Sequence, residues 1–224
     1  MSQVGGIVVE ADVRDAWTGV RDQGPRPTCL ACAASDAHSQ AHGLTHPLSV
    51  EYLFYAGLKR APHLNAANGL TFGAADEALR NDGQPNEIEW PYQTKTPDPW
   101  KPPSLTSLWY GGLDPCAGNA VGVADVLRAG VPVVLGLRLV PGFNRVQKSP
   151  FIIDTTGSPV GGHGVLGVGL GTSLKGGVVD IILIRNSWGF RWGFGGHAWL
   201  PLSYLNNELI GSRTLMPLDL GAVT

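Results

Sequence analysis

Residues 21–33 read RDQGPRPTCLACA, and the reading of Cys29 within them decides what kind of protein this is. Pro25 and Pro27 stiffen the approach to it, and Thr28 stands where a side-chain oxygen can cap a helix. The run CLACAASDAHSQA then predicts a helix beginning at Cys29 and stopping at Gly43. A thiol in the first turn of a helix sits at the positive end of the helix dipole, which favours thiolate. Gln23, six residues earlier, can aim a carboxamide N–H at the point the Cys29 N–H faces, and two donors converging there would hold an oxyanion. A lone cysteine is otherwise a small buried hydrophobe, so the rest of the chain has to carry the assignment.

Outward from this helix, Ser49 caps VEYLFYAGLK, with Leu53, Phe54 and Gly57 on one face. Thr71 caps FGAADEALRND, which Gly83 ends. The N-terminal half therefore reads as helical. From about 84 to 120, prolines at 85, 91, 97, 99, 102, 103 and 115 predict a connector without long regular elements. VGVADVLRA makes one more helix, closed by Gly130. VPVVLGLRLV, GVLGVGLG, VVDIILIRN and GHAWL then have strand length and are bounded by glycines. The fold class is α+β.

Bulk properties narrow the function. A formal charge of −2 with 15% charged residues, and no Lys/Arg run, predicts no nucleic-acid partner and no membrane surface, since both need a basic patch. No stretch approaches about 18 uninterrupted apolar residues, and MSQVGGIVVEADVRDAW lacks the pattern of a signal peptide. Three cysteines, Cys29, Cys32 and Cys116, do not make a secreted disulfide framework, so a reducing, cytoplasmic location is expected, with delivery as an effector left open.

Among six histidines, His163 lies between Gly162 and Gly164, where a thiol and a substrate can reach its ring unobstructed. His38 and His42 have metal-ligand spacing, but nothing completes a site, so no metal and no cofactor is expected. Cys29 and Cys32 form C-x-x-C without the βαβ surroundings of a redox centre, and Cys32 reads as a core residue.

Three segments, RDQGPRPTCLACA, GGHGVLGVG and IRNSWGFRWGFGGHAWLPLSYL, with LSVEYLFYAG and NGLTFGAADEALRNDG…WPY between the first two, carry a resemblance. In order and spacing, from about residue 12 to 205, the chain resembles the papain-like cysteine peptidases, and RDQG with WLPLSYL looks like the bacterial branch. The resemblance implies a helical N-terminal lobe packed on a β-barrel-like C-terminal lobe. Residues 1–19 would cross to the C-terminal lobe, 20–110 form the helical lobe with the nucleophile, and 111–224 form the β lobe with His and Asn. It implies Cys29 as nucleophile, His163 as base, Asn186 as the residue orienting that base, and Gln23 in the oxyanion hole. Trp188 would shield the Asn–His bond and Trp192 help cover the site. Gly69 matches the glycine whose backbone pairs with an extended substrate, and Asn68 replaces a common glycine beside it. A substrate pocket is expected around Leu70, Leu137, Gly162 and Gly164. His197 is expected to be structural.

Secreted relatives bridge a cysteine a few residues before the nucleophile to the NGL segment. Pro25 and alanine or asparagine residues stand in those places, so that bridge cannot form. The catalytic segment begins about 20 residues from Met1, which implies no pro-region and control by substrate choice, a partner or delivery. The expected activity is hydrolysis of peptide bonds in a protein or peptide substrate, through a thiolate–imidazolium pair and a thioester. Another thiol acyl transfer, a protease toxin or effector with one target, and an inactive binding module remain as alternatives, and a regulatory or inhibitor protein is left open.

Overall fold

A computed structural model describes residues 2–4, 6–116, 118–146, 151–174, 177 and 179–219. In chain order the elements are β1 (Ser2–Val4), β2 (Ile7–Asp12), α1 (Cys29–Ala41), α2 (Val50–Arg60), α3 (Phe72–Asn81), β3 (Tyr110–Pro115) and α4 (Ala120–Arg128). They continue with β4 (Val133–Leu139), β5 (Gly161–Ser173), β6 (Val179–Arg185), β7 (His197–Pro201), α5 (Leu205–Glu208) and β8 (Leu209–Leu218).

The helix ends follow the expected chemistry with one exception. Ser49 Oγ accepts the Tyr52 N–H at 3.1 Å and Thr71 Oγ1 the Ala74 N–H at 3.2 Å. Thr28 occupies the N-cap position of α1 but makes no side-chain cap. Its hydroxyl pairs instead with the Tyr92 hydroxyl at 2.8 Å, which leaves the first N–H groups of α1 uncapped.

The strands form one antiparallel sheet, in the order β1-β2-β5-β4-β8-β3, with β6 on β5 and β7 on β6. The sheet is open, so the barrel-like closure expected for the C-terminal half is corrected. The N-terminal segment supplies β2, which pairs with β5 over Ile7–Asp12. The proline-rich stretch yields one strand after all, β3, paired along its whole length with β8. The LIGSRTLMPL run, which had no strand prediction, is β8 itself and runs beside both β3 and β4.

Side-chain alternation along the strands builds two cores. Val134, Leu166, Val168, Ile181 and Leu183 pack with the apolar residues of α1, α2 and α3. Val133, Leu135, Val165, Ile182 and Ile184 pack with α4. The helix α1 is buried from Leu30 to Ser39, with the sheet on one side and α2 and α3 on the other. Its first turn meets β5 at Gly164, where a Cβ would lie 2.8 Å from the backbone N and Cα of Leu30. Only a glycine allows that approach, and it brings the strand carrying His163 against the helix that starts at Cys29.

Candidate active site

His163 is the third residue of β5, paired with Leu137 of β4, and is 7% exposed. Asn186 directly follows β6 and is 3% exposed. His163 Nε2 and Asn186 Oδ1 lie 2.8 Å apart. The Ser187 backbone N–H also donates to Asn186 Oδ1, at 2.8 Å, which identifies that atom as the oxygen. Since Oδ1 can only accept, the neutral imidazole carries its proton on Nε2 and keeps the Nδ1 lone pair free to act as a base. The Trp188 ring lies over the imidazole at 4.7 Å between centroids, and Trp192 meets Trp188 edge-on at 5.8 Å. Trp192 donates its N–H to Phe143 O at 3.0 Å, which fixes its orientation.

The segment before Cys29 is docked onto the segment after Asn186. Gln23 N donates to Ser187 O at 2.8 Å, Gly189 N donates to Arg21 O at 2.9 Å, and Asp22 and Trp188 form a β-bridge. The Gln23 carboxamide is held at both ends: Ser187 Oγ donates to Oε1 at 2.6 Å, and Nε2 donates to Arg26 O at 2.8 Å. One N–H of that carboxamide remains for a ligand. The sequence reading placed Gln23, Cys29, His163 and Asn186 in one site, and the fold brings the elements carrying them together.

Electrostatics shape the pair. Burial pushes the Cys29 thiol above its usual range, and backbone N–H groups of Gly164, Leu30 and Cys29 itself pull it down. Burial pushes His163 down to about 4, and the bond to Asn186 pulls it up. Burial therefore opposes each charge taken singly, and the expected ion pair has to rest on attraction between opposite charges held in a low dielectric. Cys32 is buried beside Thr28 and its thiol is pushed up to about 12, chiefly by burial, as a core residue should be. All three cysteines are free.

The residues expected to border a substrate do not all reach the surface, and the pocket expected around Leu137 is corrected, since that side chain is core. Gly69 has φ +82 and packs on the loop before Cys29, where a Cβ would meet Pro27 O at 2.6 Å. Asn68 is exposed at the end of the preceding turn, and Leu70 is half-buried against Gly57. Gly162 is exposed beside His163, and Leu137 is fully buried in the core. His38 Nδ1 bonds Gln84 Oε1 at 2.8 Å, His42 Nε2 bonds Tyr110 O at 2.9 Å, and His197 Nδ1 bonds Gly195 O at 3.0 Å.

Several contributors were missed in the sequence. Ser187 lies inside the NSWG motif but had no role assigned. Asp36 of α1 receives Arg21 Nε and Arg185 Nε at 2.6 Å each, and so ties α1 to the last residue of β6, next to Asn186. A cavity of about 10 Å³, room for about one water molecule, lies between Asp36, Arg185, Asn186 and Gly164. Asn186 Nδ2, which borders this region, has no hydrogen-bond partner among the described residues. Arg26 and Glu51 form a further buried pair behind the loop.

Residues 8–213 match the family model described as papain family cysteine protease. The chain is 31% identical over 209 residues to cathepsin R of Mus musculus, covering 89% of this chain and 61% of that protein. It is 27% identical over 207 residues to cathepsin Q of Rattus norvegicus, covering 89% and 60%. The chain thus spans about three fifths of the length of these curated relatives. Among solved structures, xylellain, a cysteine protease from Xylella fastidiosa, superposes with a TM-score of 0.73 at 21% identity, covering 96% of this chain and 87% of that one. Digestive procathepsin L 3 of Tenebrio molitor does so with a TM-score of 0.67 at 22% identity, covering 96% and 70%. Both likenesses are of fold.

Proposed function

The chain belongs to the papain family of cysteine proteases, and from that premise we propose that it is a cysteine peptidase working through Cys29, His163 and Asn186. The observation that carries this reading is the buried His163–Asn186 bond at 2.8 Å, whose polarity leaves Nδ1 unprotonated on a strand packed against the first turn of α1.

In this mechanism the Cys29 proton moves to His163 Nδ1. The transfer creates no net charge, and the thiolate is stabilised by the backbone N–H groups that converge on it and by the start of α1. The thiolate attacks the peptide carbonyl, and the Cys29 N–H and Gln23 Nε2–H hold the oxyanion. His163 then protonates the leaving amine and afterwards activates the water that hydrolyses the thioester. Gly69, Asn68, Leu70 and Gly162 would border an extended peptide, with Trp188 and Trp192 on the side of the leaving amine. The division at residue 110, the bacterial branch suggested by RDQG and WLPLSYL, and a reducing compartment suited to three free thiols complete the reading.

The test is peptide-library cleavage by the wild type against Cys29→Ala, together with alkylation by iodoacetamide at pH 5 to 6. Cleavage confined to the wild type, and alkylation of Cys29 far ahead of Cys32 and Cys116, are expected. Turnover by Cys29→Ala would remove the nucleophile, and a uniformly sluggish set of thiols would remove the ion pair.

A further inference from the structure

The loop from Gln23 to Thr28 has to keep the Gln23 carboxamide and the start of α1 in register, and no disulfide does so. Between Gln23 and Thr28, themselves buried, its longest side chain, Arg26, is inserted and 6% exposed. The guanidinium donates to Glu51 through Nη1 at 2.6 Å and Nη2 at 2.9 Å, and Nη1 also donates to Gln93 O at 2.6 Å. Glu51 is fully buried in the first turn of α2, where the helix dipole favours a carboxylate. It also accepts the Trp100 indole N–H at 2.7 Å and the Gln93 N–H at 3.3 Å. The rings of Tyr92, Phe54 and Trp100 surround the guanidinium at 5.2, 5.4 and 5.8 Å. A two-pronged, fully desolvated pair of this kind has one geometry, which a single-point cation does not reproduce.

What the pair holds in place is the Arg26 carbonyl. That oxygen accepts both the Gln23 Nε2–H and the Thr28 N–H, each at 2.8 Å. The first bond sets the oxyanion donor and the second sets the residue from which α1 springs. The Tyr92 hydroxyl, donating to Gln23 O at 2.8 Å and paired with Thr28 Oγ1, closes the same loop from the other side.

We propose that Arg26, clamped by Glu51, is a positioning residue for the oxyanion hole: it acts through its own carbonyl on the Gln23 carboxamide and touches no substrate. The proposal rests on the peptidase reading above, with Gln23 as an oxyanion donor.

The experiment is a double-substitution cycle of Arg26→Lys with Gln23→Ala, read as kcat and KM on a peptide substrate and as the rate of Cys29 alkylation, which needs no oxyanion hole. Gln23→Ala alone should lower kcat about a hundredfold. Arg26→Lys should lower kcat about tenfold, with KM and the alkylation rate within about twofold of wild type, because a misplaced donor weakens only the transition state. In the Arg26→Lys background, Gln23→Ala should then cost less than about tenfold more, since one substitution misplaces the donor that the other removes. Glu51→Gln, which keeps the shape of the carboxylate, should repeat the Arg26→Lys pattern.

Wild-type kcat in Arg26→Lys, or a full hundredfold effect of Gln23→Ala on top of it, would overturn the clamp. So would failure of both Arg26→Lys and Glu51→Gln to fold, which would assign the pair to stability alone. Absence of turnover in the wild type, or its survival in Cys29→Ala, would instead defeat the peptidase reading, so the two failures are distinguishable.

Discussion

The hydroxyl of Ser187 donates to Oε1 of Gln23 at 2.6 Å, across an otherwise backbone-to-backbone junction, and both residues are buried. The Ser187 backbone N–H also donates to Oδ1 of Asn186. One residue therefore decides which end of each of two carboxamides faces which way: the oxygen of Gln23 toward the hydroxyl, its nitrogen toward the nucleophile loop. Ser187→Ala removes the first constraint and keeps the second. It is expected to lower kcat about threefold to tenfold with little change in KM, well short of the 10²–10³-fold expected on losing an oxyanion donor altogether. Steady-state kinetics of Ser187→Ala beside Gln23→Ala will show it, and equal losses in the two variants would refute the orienting role.

Asp36 is shared between Arg21 and Arg185, each at 2.6 Å, with Asp36 and Arg185 buried and Arg21 partly exposed. Arg185 also donates to Gly19 O and lies over the Trp17 ring at 5.1 Å. Burial alone would raise the Asp36 carboxyl, but the two guanidinium groups more than reverse this and hold it below the usual carboxylate range. Asp36→Asn leaves the buried Arg185 without its counter-charge and Arg21 with Glu87 alone, and is expected to destabilise the fold by about 3–5 kcal/mol in denaturant unfolding. A loss under about 1 kcal/mol would show that water reaches the cluster.

How these devices relate to the sequence depends on whether the residue speaks through pattern or through distance. Ser49, Thr71 and Gly83 act within a few residues of themselves, so their roles as caps and stops were legible. Gln23, Cys29, His163 and Asn186 became a candidate site only together, through a resemblance spread over the chain. Thr28 looked like a cap because the rule is local, but a tyrosine 64 residues away takes its hydroxyl. Asp36 and Glu51 carried a usable signal, a carboxylate beside apolar neighbours in its helix, yet their partners come from separate parts of the chain. Proline was credited with stiffening the nucleophile loop, whereas Arg26 between the two prolines anchors it. The strand β8 was missed because Leu209–Leu218 alternates between buried and exposed only weakly, and its pairing with β3 and β4 is long-range.

Two buried histidines outside the candidate site set an acid limit on stability. Burial lowers His38 and His197 each to about 4, against about 6.5 when exposed. Between those values the unfolded chain binds protons that the folded chain does not, so stability is full above pH 6.5, declines as pH falls toward 4, and levels off for these groups below that. The melting midpoint is expected to drop on the order of 10 °C across this window. His38→Asn, whose amide N–H stands where Nδ1 does and can still donate to Gln84 Oε1, should flatten the decline. A midpoint constant from pH 6.5 to 4.5 would mean that the histidines are protonated in the folded state.

Gly164 is the point at which the two halves of the candidate site touch. A Cβ there would stand 2.8 Å from both N and Cα of Leu30 and 3.1 Å from the carbonyl carbon of Cys29, all of them backbone atoms that no rotamer change can move. Gly164→Ala must therefore push the first turn of α1 away from β5, with an overpacking penalty of about 1–3 kcal/mol. The shift also carries Cys29 away from His163, so iodoacetamide alkylation at pH 5 to 6 should fall by more than tenfold even where the variant remains folded. Gly161, on the same strand, has nothing within 4 Å of an added Cβ, and Gly161→Ala should change stability by less than about 0.5 kcal/mol. Comparing the two alanines separates a generic effect on the strand from the contact itself: if Gly164→Ala alkylates as readily as Gly161→Ala, the approach of β5 to the nucleophile helix does not set the reactivity of Cys29.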